Sequence, residues 1–206
     1  MTGVLFAGGR VTDYDSAKIA VESADVVVCA DSGVLHAEKI GVVPDFWIGD
    51  LDSVDAKHNC SKFVKLPTEK DDTDTMSAAR LLVREGVTSV RMFGCTGSRL
   101  DHTFANLFVL KFLLDNGVTA TIEDENNKIF LLSKGAHKIE NEGNKFLSLL
   151  PFCCEVKGLS IKGVKYQLSD FDLKDNFPIG VSNQITDDFC EINIKMGTLA
   201  VFLSKD

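Results

Sequence analysis

Residues 90–117, VRMFGCTGSRLDHTFANLFVLKFLLDNG, decide the fold. Residues 90–93 read as a short buried strand, Gly-Cys-Thr-Gly-Ser as a flexible loop, and residues 100–116 as a long helix. That helix carries Leu100, Phe104, Leu107, Phe108, Val109, Leu110, Phe112 and Leu113. So wide an apolar perimeter predicts burial on more than one side.

The same alternation runs outward in both directions. Residues 4–6 form a strand candidate before the tight Ala7-Gly8-Gly9, and a weak helix follows over 16–23. Val26–Ala30 is a second β-branched run, after which Asp31-Ser32 opens a helix that Gly41 closes. Pro44-Asp45 turns the chain into Phe46–Gly49, and 63–66 is a further candidate. Asp71 or Asp72 can cap a helix reaching Arg84, and Thr119–Glu123 is the last strand of the set. Strands alternating with helices give an α/β fold, a mostly parallel sheet covered on both faces. Ligands then gather beyond the carboxyl ends of the strands. The loops there are AGGR, ADSG, GDLDS and GCTGSR.

Beyond Asp124 the texture changes. Residues 128–132, Phe146–Pro151 and 155–161 fit short strands, and 191–196 alternate strictly between polar and apolar. Met196-Gly197-Thr198 would turn that strand into Leu199–Ser204 as a terminal hairpin. The expected organisation is an α/β domain over 1–124 and a smaller antiparallel β-sandwich over 125–206.

Composition narrows the function. Of 206 residues, 45% are hydrophobic and 25% charged, an ordinary globular balance. A net charge of −8 argues against nucleic acid or anionic membrane as a partner, because no basic surface is available to release counterions. No segment reaches the roughly 20 apolar residues of a membrane span, and the start lacks the charged region and apolar length of a signal peptide. Six cysteines without a C-x-x-C pair fit reduced thiols in a cytoplasm.

The chemistry sits in the carboxylates. Asp50 and Asp52, two apart in an extended segment, present their side chains to one point. Twenty residues on, Lys70-Asp71-Asp72-Thr73-Asp74 opens a helix. Facing carboxylates repel unless a cation lies between them, and oxygen ligands beside substrate phosphates suit magnesium. The alternative is a decorated surface turn and a helix cap. Asp31 could likewise cap its helix, and the Asp31-Ser32 helix start, with free amides, is also a phosphate site. Gly8-Gly9-Arg10 could bring backbone amides and a counter-charge to a phosphate, although two glycines also serve a plain turn. In residues 94–102, Arg99 has the fork geometry for phosphoryl oxygens. Asp101 could accept a proton or orient a hydroxyl; a surface Arg–Asp pair would use the same residues. His36 and His102 read as packing or hydrogen-bonding groups, and Trp47 as core.

Together these segments resemble the thiamine pyrophosphokinases. The resemblance rests on CADSGVLHAEKIGVVPDFWIGDLDS from Cys29, KDDTDT from Lys70, GCTGSRLDHTFANL from Gly94 and, less strongly, GVSNQI from Gly180. Ser32 and Ser98 stand where the family often has glycine, and Gln184 where it has glutamate. The resemblance implies a magnesium-dependent transfer of a diphosphoryl group from ATP to the hydroxyl of thiamine, in a homodimer with thiamine held between domains of different subunits. It places Asp50, Asp52 and Asp74 on magnesium, with Asp31 lining the same site. Lys70, Asp71, Thr73, Thr96, Arg99 and His102 would lie along the nucleotide. Asp101 would sit near the reacting hydroxyl, and Ser182 and Asn183 near thiamine. A diphosphokinase for another alcohol, such as a hydroxymethylpterin, or a non-catalytic nucleotide or metal sensor, are the competing readings.

Overall fold

The computed structural model describes residues 1–49, 58–65, 72–143 and 145–206. The chain separates into two compact units, Met1–Glu125 and Asn126–Asp206.

The first unit runs β1 (Thr2–Phe6), α1 (Tyr14–Glu22), β2 (Val26–Ala30), a single 3-10 turn (Asp31–Gly33), α2 (Val34–Lys39), β3 (Phe46–Gly49), β4 (Lys62–Lys65), α3 (Asp74–Arg84), β5 (Ser89–Phe93), α4 (Leu100–Asp115) and β6 (Thr119–Glu123). The strands lie in the order β4-β3-β2-β1-β5-β6, each pair parallel. Val4, Phe6, Val27, Cys29, Trp47 and Phe93 point to one face, where they pack with Ala17 and Ala20 of α1 and Val34 and Ala37 of α2. Leu5, Val28, Ile48 and Met92, of opposite parity, are equally buried. α3 lies on β1, β2 and β3 and packs against α4. Burial on both faces is why these strands are apolar throughout rather than alternating. A wholly buried side chain such as Leu5 or Phe6 contributes roughly 1.5–3 kcal/mol.

Three local expectations need correction. The cap of α3 is Thr73, whose hydroxyl accepts the Met76 N–H at 3.2 Å; Asp72 instead pairs with Arg80 at 2.7 Å. Asp31 makes no capping bond and takes φ +51°. α4 is buried along Leu107, Val109, Leu110 and Leu113, yet Leu100, Phe104 and Phe108 are exposed, the two rings meeting edge-on at 5.4 Å. The apolar perimeter therefore exceeds what one chain covers.

The second unit is a sandwich of β7 (Asn127–Leu132), β8 (Gly135–Glu140), β9 (Phe146–Pro151), β10 (Val156–Lys162), β11 (Leu168–Leu173), β12 (Phe189–Ile194) and β13 (Leu199–Ser204). β13 pairs antiparallel with β7 on one side and β9 on the other. β12 lies between β10 and β8 in a four-stranded sheet ending in β11. The two layers share a core of Leu147, Leu149, Leu159, Ile161, Ile192, Ile194, Leu199 and Val201. The expected terminal hairpin is absent. Gly197 turns the chain, at φ +104°, out of one sheet and into the other. Among the described residues no helix is long and apolar enough to cross a membrane.

Candidate active site

The sheet order reverses between β1 and β5, so their outgoing loops lie side by side, where such a sheet opens a crevice. The loops are joined by backbone bonds. The Ala7 N–H donates to the Phe93 carbonyl and the Gly9 N–H to the Gly94 carbonyl, both at 2.8 Å. A β-carbon on Gly9 would lie 2.4 Å from the Gly94 oxygen and 2.5 Å from that of Thr96. Gly94 is left-handed at φ +68°, and a β-carbon there would come within 2.3 Å of the Ala7 oxygen. Only glycine permits this approach.

An open cleft of ≈ 800 Å³ begins at these loops. Gly8, Gly9 and Arg10 line it after β1, Asp31 after β2, and Thr73 and Asp74 at the start of α3. Thr96 and Arg99 come from the loop after β5, and His102 from the first turn of α4. Residues scattered over 95 positions of sequence thus converge on one cavity. Ser32 stands at its edge, its Oγ packed against Gly8.

Arg99 and Asp101 form a two-pronged pair, Nη2 to Oδ2 at 2.6 Å and Nε to Oδ1 at 3.2 Å. The guanidinium hydrogen bonds hold the Asp101 carboxyl below the ordinary carboxylate range, and the same bonds push Arg99 up. Both side chains are exposed, so the pair adds little stability and is free to exchange partners.

Three further residues set the loops, and the sequence reading did not assign them that part. Asn106, buried in α4, donates to the Cys95 carbonyl at 2.8 Å. Asp124 accepts the Thr96 hydroxyl at 2.8 Å. His36 reaches the Gly9 carbonyl at 2.7 Å. The one legible signal was Asn106, a polar residue inside an apolar helical run.

Asp31 and Asp74 are hard oxygen donors on the same cleft, which fits a magnesium ion beside phosphates. Among the described residues no cluster of three or more ligand-type side chains is already assembled. Asp50, Asp52, Lys70 and Asp71 lie outside the described residues.

In the second unit, Asn183 is buried and fully engaged. Its Oδ1 accepts the Tyr166 N–H at 2.9 Å and its Nδ2 donates to the Tyr166 carbonyl at 2.8 Å. Its backbone pairs both ways with Leu147. The amide therefore holds the Tyr166 backbone in place, and the residue is 62% exposed. Ser182, left-handed at φ +61°, donates its N–H to Ser148 Oγ at 3.0 Å.

Comparison with known proteins agrees with this architecture. Residues 17–122 match the family model "Thiamin pyrophosphokinase, catalytic domain" and residues 136–199 the model "Thiamin pyrophosphokinase, vitamin B1 binding domain". The Bacillus subtilis thiamine pyrophosphokinase is 25% identical over 183 residues, 85% of this chain and 86% of that protein. Among solved structures, the Bacillus subtilis thiamine pyrophosphokinase superposes with a TM-score of 0.89 at 22% identity, covering 100% of both chains. A thiamin pyrophosphokinase family protein from Enterococcus faecalis gives 0.84 at 26% identity, again over 100% of both. The Candida albicans enzyme gives 0.83 at 18%, covering 100% of this chain and 89% of its own. The chain belongs to the thiamine pyrophosphokinase family.

Proposed function

We infer that the chain transfers a diphosphoryl group from ATP to the hydroxyl of thiamine, giving thiamine diphosphate and AMP, with the cleft at the β1–β5 junction holding the nucleotide. One observation carries this reading. The paired loops bring Arg10, Thr96, Arg99 and His102 to the same cavity as Asp31 and Asp74. Cations and backbone amides thus face carboxylates suited to a divalent ion, as a metal–triphosphate requires.

The hydroxyethyl oxygen of thiamine attacks the β-phosphorus and AMP departs. Such a transfer asks the protein for positioning and charge stabilisation rather than covalent chemistry. Arg99 leaves Asp101 for the phosphoryl oxygens, where its fork matches their geometry. Asp101, released from the guanidinium that holds its carboxyl low, accepts the hydrogen bond of the thiamine hydroxyl, orients it and takes its proton as the oxygen attacks. The Thr96 hydroxyl hydrogen is committed to Asp124, so Thr96 meets the nucleotide through its backbone. Gly8 and Gly9 let amides approach the phosphates, with Arg10 beside them. Asp74 and Asp31, with Asp50 and Asp52, would hold magnesium, which when bound draws charge from the phosphoryl oxygens and the leaving AMP. Lys70, Asp71, Thr73 and Ser32 complete the nucleotide's surroundings in this proposal. In the second unit, Ser182 and Asn183 serve thiamine, Asn183 by presenting the Tyr166 ring to a flat cationic ligand.

The assembly in this proposal is a homodimer. The exposed Leu100, Phe104 and Phe108 face of α4 is apolar surface that a second copy would cover. A cytoplasmic setting accords with its free cysteines. The test is incubation with Mg-ATP and thiamine. Appearance of AMP with thiamine diphosphate in equal amounts supports the reading; ADP, free phosphate or no turnover refutes it.

A further inference from the structure

Trp47 is the chain's single tryptophan. It sits on β3, 3% exposed, where its sequence context marks it only as core. Its indole N–H nevertheless has a specific partner, the main-chain carbonyl oxygen of Asp31 at 2.9 Å. Asp31 is left-handed at φ +51°, a region that an L side chain occupies only when its surroundings hold it there. It is the first residue of the 3-10 turn, directly after β2, and it lines the cleft. The Asp31 Oδ2 lies 3.5 Å from where a β-carbon on Gly8 would be, so the carboxylate sits directly against the loop after β1.

We propose that Trp47 is a positioning residue: by binding the Asp31 carbonyl it fixes the left-handed turn that aims the Asp31 carboxylate into the cleft. The proposal rests on the reading of Asp31 as part of the metal–nucleotide site. A buried indole N–H needs an acceptor, and the strained residue supplies it, so each group determines the other's geometry. The indole itself has little freedom. Phe63 packs on it with ring centroids 4.9 Å apart, and His58 meets it edge-on at 5.6 Å. His58 is in turn tied by Nδ1 to Glu38 of α2 at 2.6 Å. Phenylalanine at position 47 would fill much of the same space and donate nothing.

The experiment is a double-mutant cycle of Trp47→Phe and Asp31→Asn, read by steady-state kinetics with Mg-ATP and thiamine and by thermal melting. Asparagine tolerates the left-handed region as aspartate does but lacks the charge. Trp47→Phe should raise KM for Mg-ATP by roughly 2–10-fold, the scale of one hydrogen bond, and leave KM for thiamine unchanged. In the Asp31→Asn background it should add almost nothing. Equal losses in both backgrounds overturn the positioning role and leave the assignment of Asp31 standing. An Asp31→Asn variant with wild-type Mg-ATP kinetics removes the assignment of Asp31 itself. Should Trp47→Phe not fold, the fluorescence of the lone indole in the unaltered protein reads the same coupling. Saturation with Mg-ATP should shift its emission, and an emission unmoved at saturation overturns the proposal.

Discussion

The Nε2 of His36 lies 2.7 Å from the carbonyl oxygen of Gly9, and its Nδ1 lies 2.8 Å from the Tyr14 hydroxyl. A carbonyl only accepts, so Nε2 carries the hydrogen and Nδ1 receives that of Tyr14. The neutral ring thereby ties α1 and α2 to the loop after β1. Burial, aided by Lys39, lowers the His36 pKa below its ordinary value of 6.5 against the opposing bond to Gly9. As pH falls, the unfolded chain therefore binds the proton first. Stability contributed by this contact is complete above about pH 6.5 and declines below it. Urea unfolding at pH 7.5 and pH 5 should show that loss in the wild type and a smaller one in His36→Gln.

Gly9→Ala should part the loops. Its methyl group would meet two carbonyl oxygens at 2.4 and 2.5 Å, so backbone must move. We expect a cost of about 1–3 kcal/mol, a melting temperature lower by roughly 2–4 °C per kcal/mol, and a rise in KM for Mg-ATP. An alanine variant with unchanged melting and kinetics would show that the junction is not needed.

Arg99→Lys keeps the charge and loses the fork. Turnover should fall by roughly 10²–10³-fold with an unchanged melting curve, since the Arg99–Asp101 pair is exposed. Asp74→Ala should likewise leave a folded protein and lower turnover by orders of magnitude. Near-normal activity in that variant would remove the metal role assigned to Asp74.

Asn183→Ala should cost about 1–3 kcal/mol, because the Tyr166 N–H and carbonyl lose their partner beside a buried backbone pair. KM for thiamine should rise while KM for Mg-ATP stays put. The reverse pattern, measured by varying each substrate in turn, would detach Asn183 from thiamine.

Much of the first unit is legible in the sequence because strands buried on both faces are continuous apolar runs. β2, β3 and β6 can be read to the residue. β8 and β11 cannot, since GAHKIE and LSDFDL each bury a single side chain, Ile139 and Leu173. The turn at Gly197 is legible, but its pairing is not, because the choice between two facing sheets is made by packing. The α3 cap is ambiguous locally, with Asp72, Thr73 and Asp74 all able to accept a hydrogen bond. At the site, Asp31, Asp74 and Arg99 stand out by type and by their places at strand ends and helix starts, whereas His102 enters only through the resemblance. Trp47 and His36 do not, and Asn106 shows only as a polar residue in an apolar helical run: each binds a main-chain carbonyl, and no spacing rule encodes that.

β13 follows every other described strand in sequence yet lies inside its sheet, flanked by β7 and β9. Until it arrives, those two strands have no common neighbour, and each leaves a row of backbone groups open to other chains. The sandwich is thus completed from its far end. Leu199, Val201 and Leu203 complete the core from β13, so a chain truncated before it would lack them and present the open edges of β7 and β9.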